Sequence, residues 1–284
     1  MSRAHRRRPE SISHVDAKEA VDLATAQPEN VFLFAPNLIG YTRVILAAVS
    51  LHLMSYHPVY CTITYSMSCL LDAVDGQVAR ARGETSKFGA VLDMVTDRCT
   101  TSCLLCYLAI AYPTWAILFQ FLIALDFSSH YMHMYRYVSF IISMRLLPKP
   151  HPPMPSSLAT GSASHKKVTS DVSRILWLYY NDARTLFLVC AGNELFFVAL
   201  YVAKWTTAPV PVNLSWISLP YFGHFLANLT YAEAVACLTG PVCLLKNIIN
   251  VVQLWKASKI LVGVDLAERA EARRVKAEGK MKAI

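Results

Sequence analysis

The chain has 284 residues, of which 55% are hydrophobic and only 16% are charged, and its mean hydropathy is +0.36. Soluble domains carry about 25% charged residues, so this composition argues against a soluble globular protein and predicts an all-α integral membrane protein. The formal net charge of +8 is attributed to membrane topology and affinity for anionic lipid, and no binding to nucleic acid is expected.

Three regions are predicted along the chain. Residues 1–30 form a polar, arginine-rich cytosolic tail that includes a weakly amphipathic juxtamembrane segment; for residues 1–12 a disordered tail is the preferred interpretation. Residues 31–259 form a domain of six transmembrane helices. Residues 260–284 form a charged cytosolic tail that is helical or frayed.

Six apolar stretches of suitable length are predicted to span the membrane. The last is expected to bend at Pro241, because proline removes a helical hydrogen bond. The predicted spans are Leu38–Tyr56, Pro58–Arg80, Phe88–Tyr112, a span within Trp115–Leu146, Thr185–Tyr201 and Ala232–Trp255.

The distribution of Lys and Arg predicts how these spans are oriented. The basic residues concentrate in the two tails, the turn between the second and third spans, and the loop between the fourth and fifth. By the positive-inside rule these parts face the cytosol. The glycosylation sequons at Asn213 and Asn228 then fall on the lumenal side, where Asn213 is topologically accessible to modification unless its proximity to the bilayer blocks it.

Four aspartates stand inside the apolar stretch from the second to the third span. Asp72 and Asp75 are spaced i, i+3, and Asp93 and Asp97 are spaced i, i+4, so each pair shares one helix face. The polar segment Ala81–Lys87 suits a turn between antiparallel helices, which brings the two pairs to face each other. Facing carboxylates repel, and hard oxygen ligands select Mg²⁺ or Mn²⁺. The alternative is a set of solvated charges at helix ends.

The spacing of these residues resembles the CDP-alcohol phosphatidyltransferase family. The matching pattern is Asp72-x2-Asp75-Gly76-x2-Ala79-Arg80-x8-Gly89-x3-Asp93-x3-Asp97, eight fixed positions at fixed spacings. The stretches PNLIGYTR, FGAVLDMVTDRC, DFSSHYMH and CAGNELFF, between about Asn30 and Lys259, are similar to the eukaryotic members that use inositol as acceptor. The resemblance therefore implies an enzyme of phospholipid synthesis.

The resemblance also implies roles for individual residues. Asp72, Asp75 and Asp93 would bind the first of two Mg²⁺ or Mn²⁺ ions, and Asp97 would bind the second and act as general base. A further group would bind CDP-diacylglycerol: Asn37, Gly76, Arg80, Ser86 and Gly89. For Arg43, a substrate role and a purely structural pairing remain open alternatives.

The acceptor site is predicted on the cytosolic side. Asp126, His130 and His133 are spaced i, i+4, i+7 and form a polar helix face, which either contacts the acceptor or consists of core side chains satisfied by neighbours. Lys166, in the loop before the fifth span, and Arg184, at its start, are the other candidates for binding inositol.

The expected activity is transfer of a phosphatidyl group from CDP-diacylglycerol to myo-inositol, with release of CMP. The alternatives are a related transferase that uses glycerol 3-phosphate, serine or inositol phosphate, and a divalent-cation transporter. Transport sites lie near the membrane midplane on broken helices within repeats, whereas here the carboxylates lie toward one face and no repeat is found. The resemblance further implies an endoplasmic reticulum membrane protein, with its active site facing the cytosol, and a homodimer.

Overall fold

A computed structural model of the chain describes residues 30–146, 179, 182–207 and 229–282. These residues are almost entirely helical, which confirms the all-α prediction. Two short 3₁₀ turns, Val31–Leu33 and Pro113–Trp115, precede the first and fourth helices. The described α-helices are α1 (Ala35–Leu53), α2 (Pro58–Arg82), α3 (Lys87–Ala111), α4 (Ala116–Leu146), α5 (Ala183–Ala203) and α6 (Tyr231–Lys282).

Local sequence explains where these helices begin and end. Pro58 opens α2, where its missing N–H is no loss because the first N–H groups of a helix have no intrahelical partner. Gly83 follows α2 with φ of 67°, a left-handed conformation that glycine adopts at little cost. Ser86 then accepts a hydrogen bond from the Gly89 N–H at 2.9 Å and so caps α3.

The sixth helix is longer than predicted. The predicted span ends at Trp255, but α6 continues without a break to Lys282. The segment after Trp255 is rich in Ala, Glu, Lys and Arg, which are strong helix formers, so the charged tail extends the helix. Pro241 lies inside α6; the predicted bend there stays a prediction.

The chain divides into two compact units, and the first holds three of the four motif aspartates, Asp72, Asp75 and Asp93. Its described part comprises residues 30–49 and 63–96, which are the first part of α1, most of α2 and the start of α3. The Ser68 hydroxyl on α2 donates to the backbone carbonyl of Arg43 on α1 at 3.1 Å. A Cβ placed on Gly40 of α1 would lie 2.9 Å from Leu92 Cδ2 of α3, so the small residue allows α1 and α3 to approach closely.

The second unit comprises Ser50–Thr62 and the chain from Asp97 onward. Within it α6 packs against both α4 and α5. Tyrosine hydroxyls connect the helix ends, since Tyr201 donates to the Met54 carbonyl at 2.8 Å and Tyr112 donates to the Leu200 carbonyl at 2.9 Å. Tyr179, Val189 and Ile249 form a small buried apolar cluster.

Two of the described helices are long and apolar enough to cross a membrane, by length and composition: α5 over Arg184–Ala203 and α6 over Tyr231–Ala277. Each of the six predicted spans coincides with an α-helix, but the number of spans stays a prediction. The N-terminal tail, Lys166, Asn213 and Asn228 lie outside the described residues.

Candidate active site

Three of the four motif aspartates form one cluster. Oxygens of Asp72 and Asp75, on α2, and of Asp93, on α3, all lie within 4.8 Å of one another. The Asp75 side chain is 11% exposed, whereas those of Asp72 and Asp93 are 39% and 41% exposed. The helical hairpin predicted from the sequence thus brings the carboxylates together, with one at the bottom of the cluster and two at its rim.

Arg43 supplies the positive charge at this cluster. Its guanidinium nitrogens lie 2.7 Å from an oxygen of each of Asp72, Asp75 and Asp93, and its side chain is only 2% exposed. Arginine suits this position because its planar guanidinium presents several donors in fixed directions. Three ionised carboxylates and one guanidinium sum to a charge of about −2, which the charge of one divalent cation would balance.

The donor set fits a divalent cation. Carboxylate oxygens are the hard ligands that Mg²⁺ and Mn²⁺ prefer, and three of them converge within 4.8 Å. Asp72, Asp75 and Asp93 would therefore hold such an ion. Asp97, predicted as a ligand of a second ion, lies one turn beyond Asp93 on α3, and its carboxylate pairs with Arg98 at 3.6 Å; its metal-binding role stays a prediction.

Three of the residues predicted to bind CDP-diacylglycerol meet at the start of α1 and α3. Asn37 is buried, and its Nδ2 donates to the Val31 carbonyl at 2.6 Å. A Cβ on Gly89 would lie 2.6 Å from Asn37 Oδ1 and 3.0 Å from Ser86 Oγ. Since real Cβ atoms do not approach so closely, only glycine fits at position 89 without displacing Asn37.

Gly76 and Arg80, the other two predicted substrate contacts, are neighbours on α2. A Cβ on Gly76 would lie 3.4 Å from Arg80 Nη1, so the arginine side chain folds back over the glycine. That contact involves the flexible end of a side chain, which can move. A larger residue at position 76 is therefore less disruptive to the protein than one at position 89.

A second polar network lies in the second unit. Arg98 Nη1 donates to both oxygens of Asp126, each at 2.8 Å, and Asn250 Nδ2 donates to Asp126 Oδ1 at 3.1 Å. Lys246 Nζ in turn donates to Asn250 Oδ1 at 2.8 Å, and both of these α6 side chains are buried. On α5, Glu194 accepts a hydrogen bond from the Thr101 hydroxyl of α3 at 2.9 Å.

Two of the predicted acceptor residues, Asp126 and His130, form hydrogen bonds within this network. Asp126 is held by Arg98 and Asn250, and His130 Nδ1 lies 2.8 Å from the Asp126 carbonyl and 3.2 Å from the Ser129 hydroxyl. These contacts match the alternative in which neighbouring groups satisfy both side chains, and an acceptor role for them stays a prediction.

Arg184 lies at the start of α5 and is exposed. Its backbone N–H donates to Asp182, the N-cap residue of α5. The Thr185 hydroxyl donates to the same carboxylate at 2.6 Å. These hydrogen bonds, chiefly that from the Thr185 side chain, hold the pKa of Asp182 below its usual value.

The sequence interpretation did not identify three of the residues that these contacts single out: Arg98, Lys246 and Asn250. The sequence could have indicated Lys246, because an isolated lysine inside an apolar span faces the protein interior and marks a candidate functional site by default. The same reasoning applies to Arg43, whose role the sequence left open.

The described fold and site define a class: a helical protein that holds a carboxylate cluster, with its own guanidinium, among apolar helices. Comparison with known proteins is more specific. The family described as CDP-alcohol phosphatidyltransferase matches residues 33–151. With this match and the relatives described next, the chain belongs to the CDP-alcohol phosphatidyltransferase family.

Curated relatives cover most of the chain. A CDP-diacylglycerol--inositol 3-phosphatidyltransferase of Schizosaccharomyces pombe is 48% identical, over 87% of this chain and 96% of the relative. Proteins of the same name from Saccharomyces cerevisiae (40% identical, 84% of this chain, 90% of the relative) and Homo sapiens (37% identical, 86% and 98%) are also similar. No solved structure matches the chain.

Proposed function

We propose that this protein synthesises phosphatidylinositol, by transferring the phosphatidyl group of CDP-diacylglycerol to myo-inositol with release of CMP. The similar proteins named CDP-diacylglycerol--inositol 3-phosphatidyltransferase support this activity at 37–48% identity over most of the chain. The observation that carries the proposal is the convergence of Asp72, Asp75 and Asp93 within 4.8 Å, since a pyrophosphate substrate requires such a centre for cations.

The reaction exchanges one phosphorus–oxygen bond for another. An inositol hydroxyl oxygen attacks the phosphorus that carries the diacylglycerol, and the bond from that phosphorus to the CMP oxygen breaks. Asp97 accepts the proton of the hydroxyl as general base, and CMP leaves with the bonding electron pair. Asn37, Gly76, Arg80, Ser86 and Gly89 hold the CDP-diacylglycerol, with Arg80 offsetting the phosphate charge.

Asp72, Asp75 and Asp93 would hold the first of two divalent cations, Mg²⁺ or Mn²⁺, and Asp97 would hold the second. Bound there, the ions would supply the positive charge that neutralises the pyrophosphate and stabilises the departing CMP. The buried Arg43 keeps the three carboxylates of the cluster together.

We further propose that all six described helices cross the endoplasmic reticulum membrane. Side-chain exposure supports this, because several polar side chains are buried while many large apolar ones are exposed. Arg43 and Gln253 are each 2% exposed, whereas Ile45, Ile117 and Leu238 are 63%, 82% and 78% exposed. Intramembrane polar groups face the protein interior in this way. CDP-diacylglycerol would then enter from the bilayer, and inositol from the cytosol, to reach a catalytic domain of residues 31–259.

Inositol is favoured over a phosphorylated acceptor because the similar proteins are named for transfer to inositol. In the polar network of the second unit, both oxygens of Asp126 bind the Arg98 guanidinium, so we do not assign Arg98 to the acceptor. We retain Asp126, His130, Lys166 and Arg184 as the acceptor-binding group.

The decisive experiment is an acceptor panel. Purified protein in detergent receives CDP-diacylglycerol, Mn²⁺ or Mg²⁺, and one labelled acceptor: inositol, inositol phosphate, glycerol 3-phosphate or serine. Phosphatidylinositol and CMP are expected in equal amounts from inositol alone, and Asp93→Asn serves as the inactive control. Product from another acceptor but none from inositol would refute the assignment. Because detergent solution sustains no ion gradient, turnover there also separates an enzyme from a transporter.

Orientation has its own test. On a cysteine-depleted background, Asn213→Cys is expected to react with an impermeant maleimide only from the lumen, and Thr85→Cys only from the cytosol. Labelling of both positions from the same side would refute the six-span arrangement and the cytosolic active site. The proposed homodimer is tested separately, by the mass of the purified protein in detergent.

A further inference from the structure

The first helix begins with an unusual cap. The first N–H groups of a helix lack intrahelical acceptors, and a side chain just before the helix commonly accepts one of them. Here the preceding residue is Phe34, which has no acceptor. Instead the Ala35 N–H donates to Glu84 Oε2 at 2.8 Å, across 49 residues of sequence. The negative charge also suits the positive end of the helix dipole.

The end of α2 directs this carboxylate. After α2 ends at Arg82, Gly83 takes a left-handed conformation with φ of 67°. The Glu84 N–H then donates to the Ala79 carbonyl at 3.0 Å, which is the hydrogen bond that closes a Schellman motif. Arg82 Nε donates to Glu84 Oε1 at 3.2 Å. Each carboxylate oxygen of Glu84 therefore has its own partner, one on α1 and one on α2.

The position of α1 matters for two groups on the same helix. Asn37, two residues after Ala35, lies so close to Gly89 that a Cβ there would be 2.6 Å from its Oδ1. Arg43, about two turns further on, lies 2.7 Å from three carboxylate oxygens on α2 and α3. A shift of α1 by about one residue, or about 1.5 Å along its axis, would break both sets of contacts.

We propose that Glu84 is a positioning residue, whose carboxylate tethers the start of α1 to the turn between α2 and α3. The tether sets the register of Asn37 and Arg43 against Gly89 and the aspartate cluster. Glu84 acts through these residues and contacts no reacting atom. The effect on catalysis rests on the proposed transferase function, because it assumes that CDP-diacylglycerol binds beside Asn37 and Gly89.

The test compares three variants with the wild type. Glu84→Ala is expected to raise the KM for CDP-diacylglycerol about fivefold, the effect of losing one helix cap, and to leave the KM for inositol unchanged. It should also speed amide hydrogen exchange over residues 30–38. Glu84→Gln keeps an acceptor oxygen and is expected to remain close to wild type. Glu268→Ala, at an exposed glutamate on α6, is the matched control and should change neither quantity.

A double variant separates a tether from a simple cap. Phe34 has φ of −57° and ψ of 139°, an extended conformation suited to an N-cap serine. In Phe34→Ser with Glu84→Ala, the new hydroxyl caps α1 locally without connecting it to the turn. In this double variant, slow amide hydrogen exchange over residues 30–38 should return, while the KM for CDP-diacylglycerol stays raised. Both quantities are compared with those of Phe34→Ser alone. This variant also covers the case in which Glu84→Ala alone does not fold.

Two results would refute the tether. The first is a wild-type KM for CDP-diacylglycerol in the double variant Phe34→Ser with Glu84→Ala. The second is an equal change in the KM of both substrates in Glu84→Ala. If the wild type makes no phosphatidylinositol, the proposed function fails instead. The exchange measurement still judges the tether in that case, because unchanged exchange over residues 30–38 in Glu84→Ala would refute it.

Discussion

Arg43→Ala removes the one cation that the described part of the chain places among the carboxylates of Asp72, Asp75 and Asp93. Removing one partner of a buried ion pair costs about 3–5 kcal/mol, whereas a solvent-exposed pair contributes about 0.2–1 kcal/mol. The Asp75 side chain is 11% exposed and counts as buried, while the other two, at 39% and 41%, are discounted for solvent screening. The sum is a loss of about 3–5 kcal/mol in metal-free protein.

A divalent cation should relieve this loss, because it supplies the charge that Arg43 no longer provides. With Arg43 present the cluster carries about −2; without it the three carboxylates carry about −3, and the variant gains more from the ion than the wild type does. At about 2–4 °C per kcal/mol for a chain of this size, we expect the Tm of Arg43→Ala to fall by about 6–20 °C in EDTA. The difference should shrink by at least half in saturating Mn²⁺.

Thermal unfolding in detergent, followed by intrinsic fluorescence with and without Mn²⁺, measures this difference. Arg43→Lys keeps the charge without the planar fork and should lie between the wild type and Arg43→Ala. Arg269→Ala, at an exposed arginine on α6, controls for loss of a positive charge elsewhere. A Tm difference that is the same in EDTA and in Mn²⁺ would refute the reasoning, since Arg43 would then contribute by packing alone.

Three further predictions concern individual side chains. Asp93→Asn keeps the shape of the side chain, so the protein should fold while turnover falls at least about a hundredfold; near-normal activity would remove Asp93 from the metal site. Gly89→Ala should raise the KM for CDP-diacylglycerol, because its Cβ would lie 2.6 Å from Asn37 Oδ1, whereas Gly263→Ala, with no atom within 4 Å, should leave it unchanged. Lys246→Met should lower the Tm by removing the hydrogen bond to Asn250; an unchanged Tm would show that the network does not stabilise the α4–α6 packing.

The sequence was most informative where the spacing of polar residues along a helix decided the geometry. Asp72 and Asp75 share a helix face because of their i, i+3 spacing, and the polar segment before Asp93 required a turn. From these two facts the convergence of the three carboxylates follows, and the structure places their oxygens within 4.8 Å. No comparable rule locates the partner of a single charge, so the sequence left Arg43 undecided between two roles.

Contacts between residues distant in sequence were beyond the reach of such patterns. The Ala35 N–H finds its acceptor in Glu84, 49 residues away, and Asn250 reaches Asp126 across 124 residues. Glu84 falls in the predicted turn Ala81–Lys87, and Asn250 is a polar residue inside the last predicted span; neither position indicates the distant partner. Their partners depend on how the helices pack, which helical periodicity does not specify.

The interior of the protein explains why such contacts matter more here than in a soluble protein. Among its most buried side chains are Arg43, Asn37, Asn250 and Gln253, all at 2% exposure or less. Apolar side chains on the outside would gain little from leaving a lipid environment, so packing and polar contacts must supply much of the specificity between helices. Within the first unit, Arg43 both connects α1 to α2 and α3 and forms the cluster with Asp72, Asp75 and Asp93. A change at the start of α1, near Glu84, is therefore expected to reach the site.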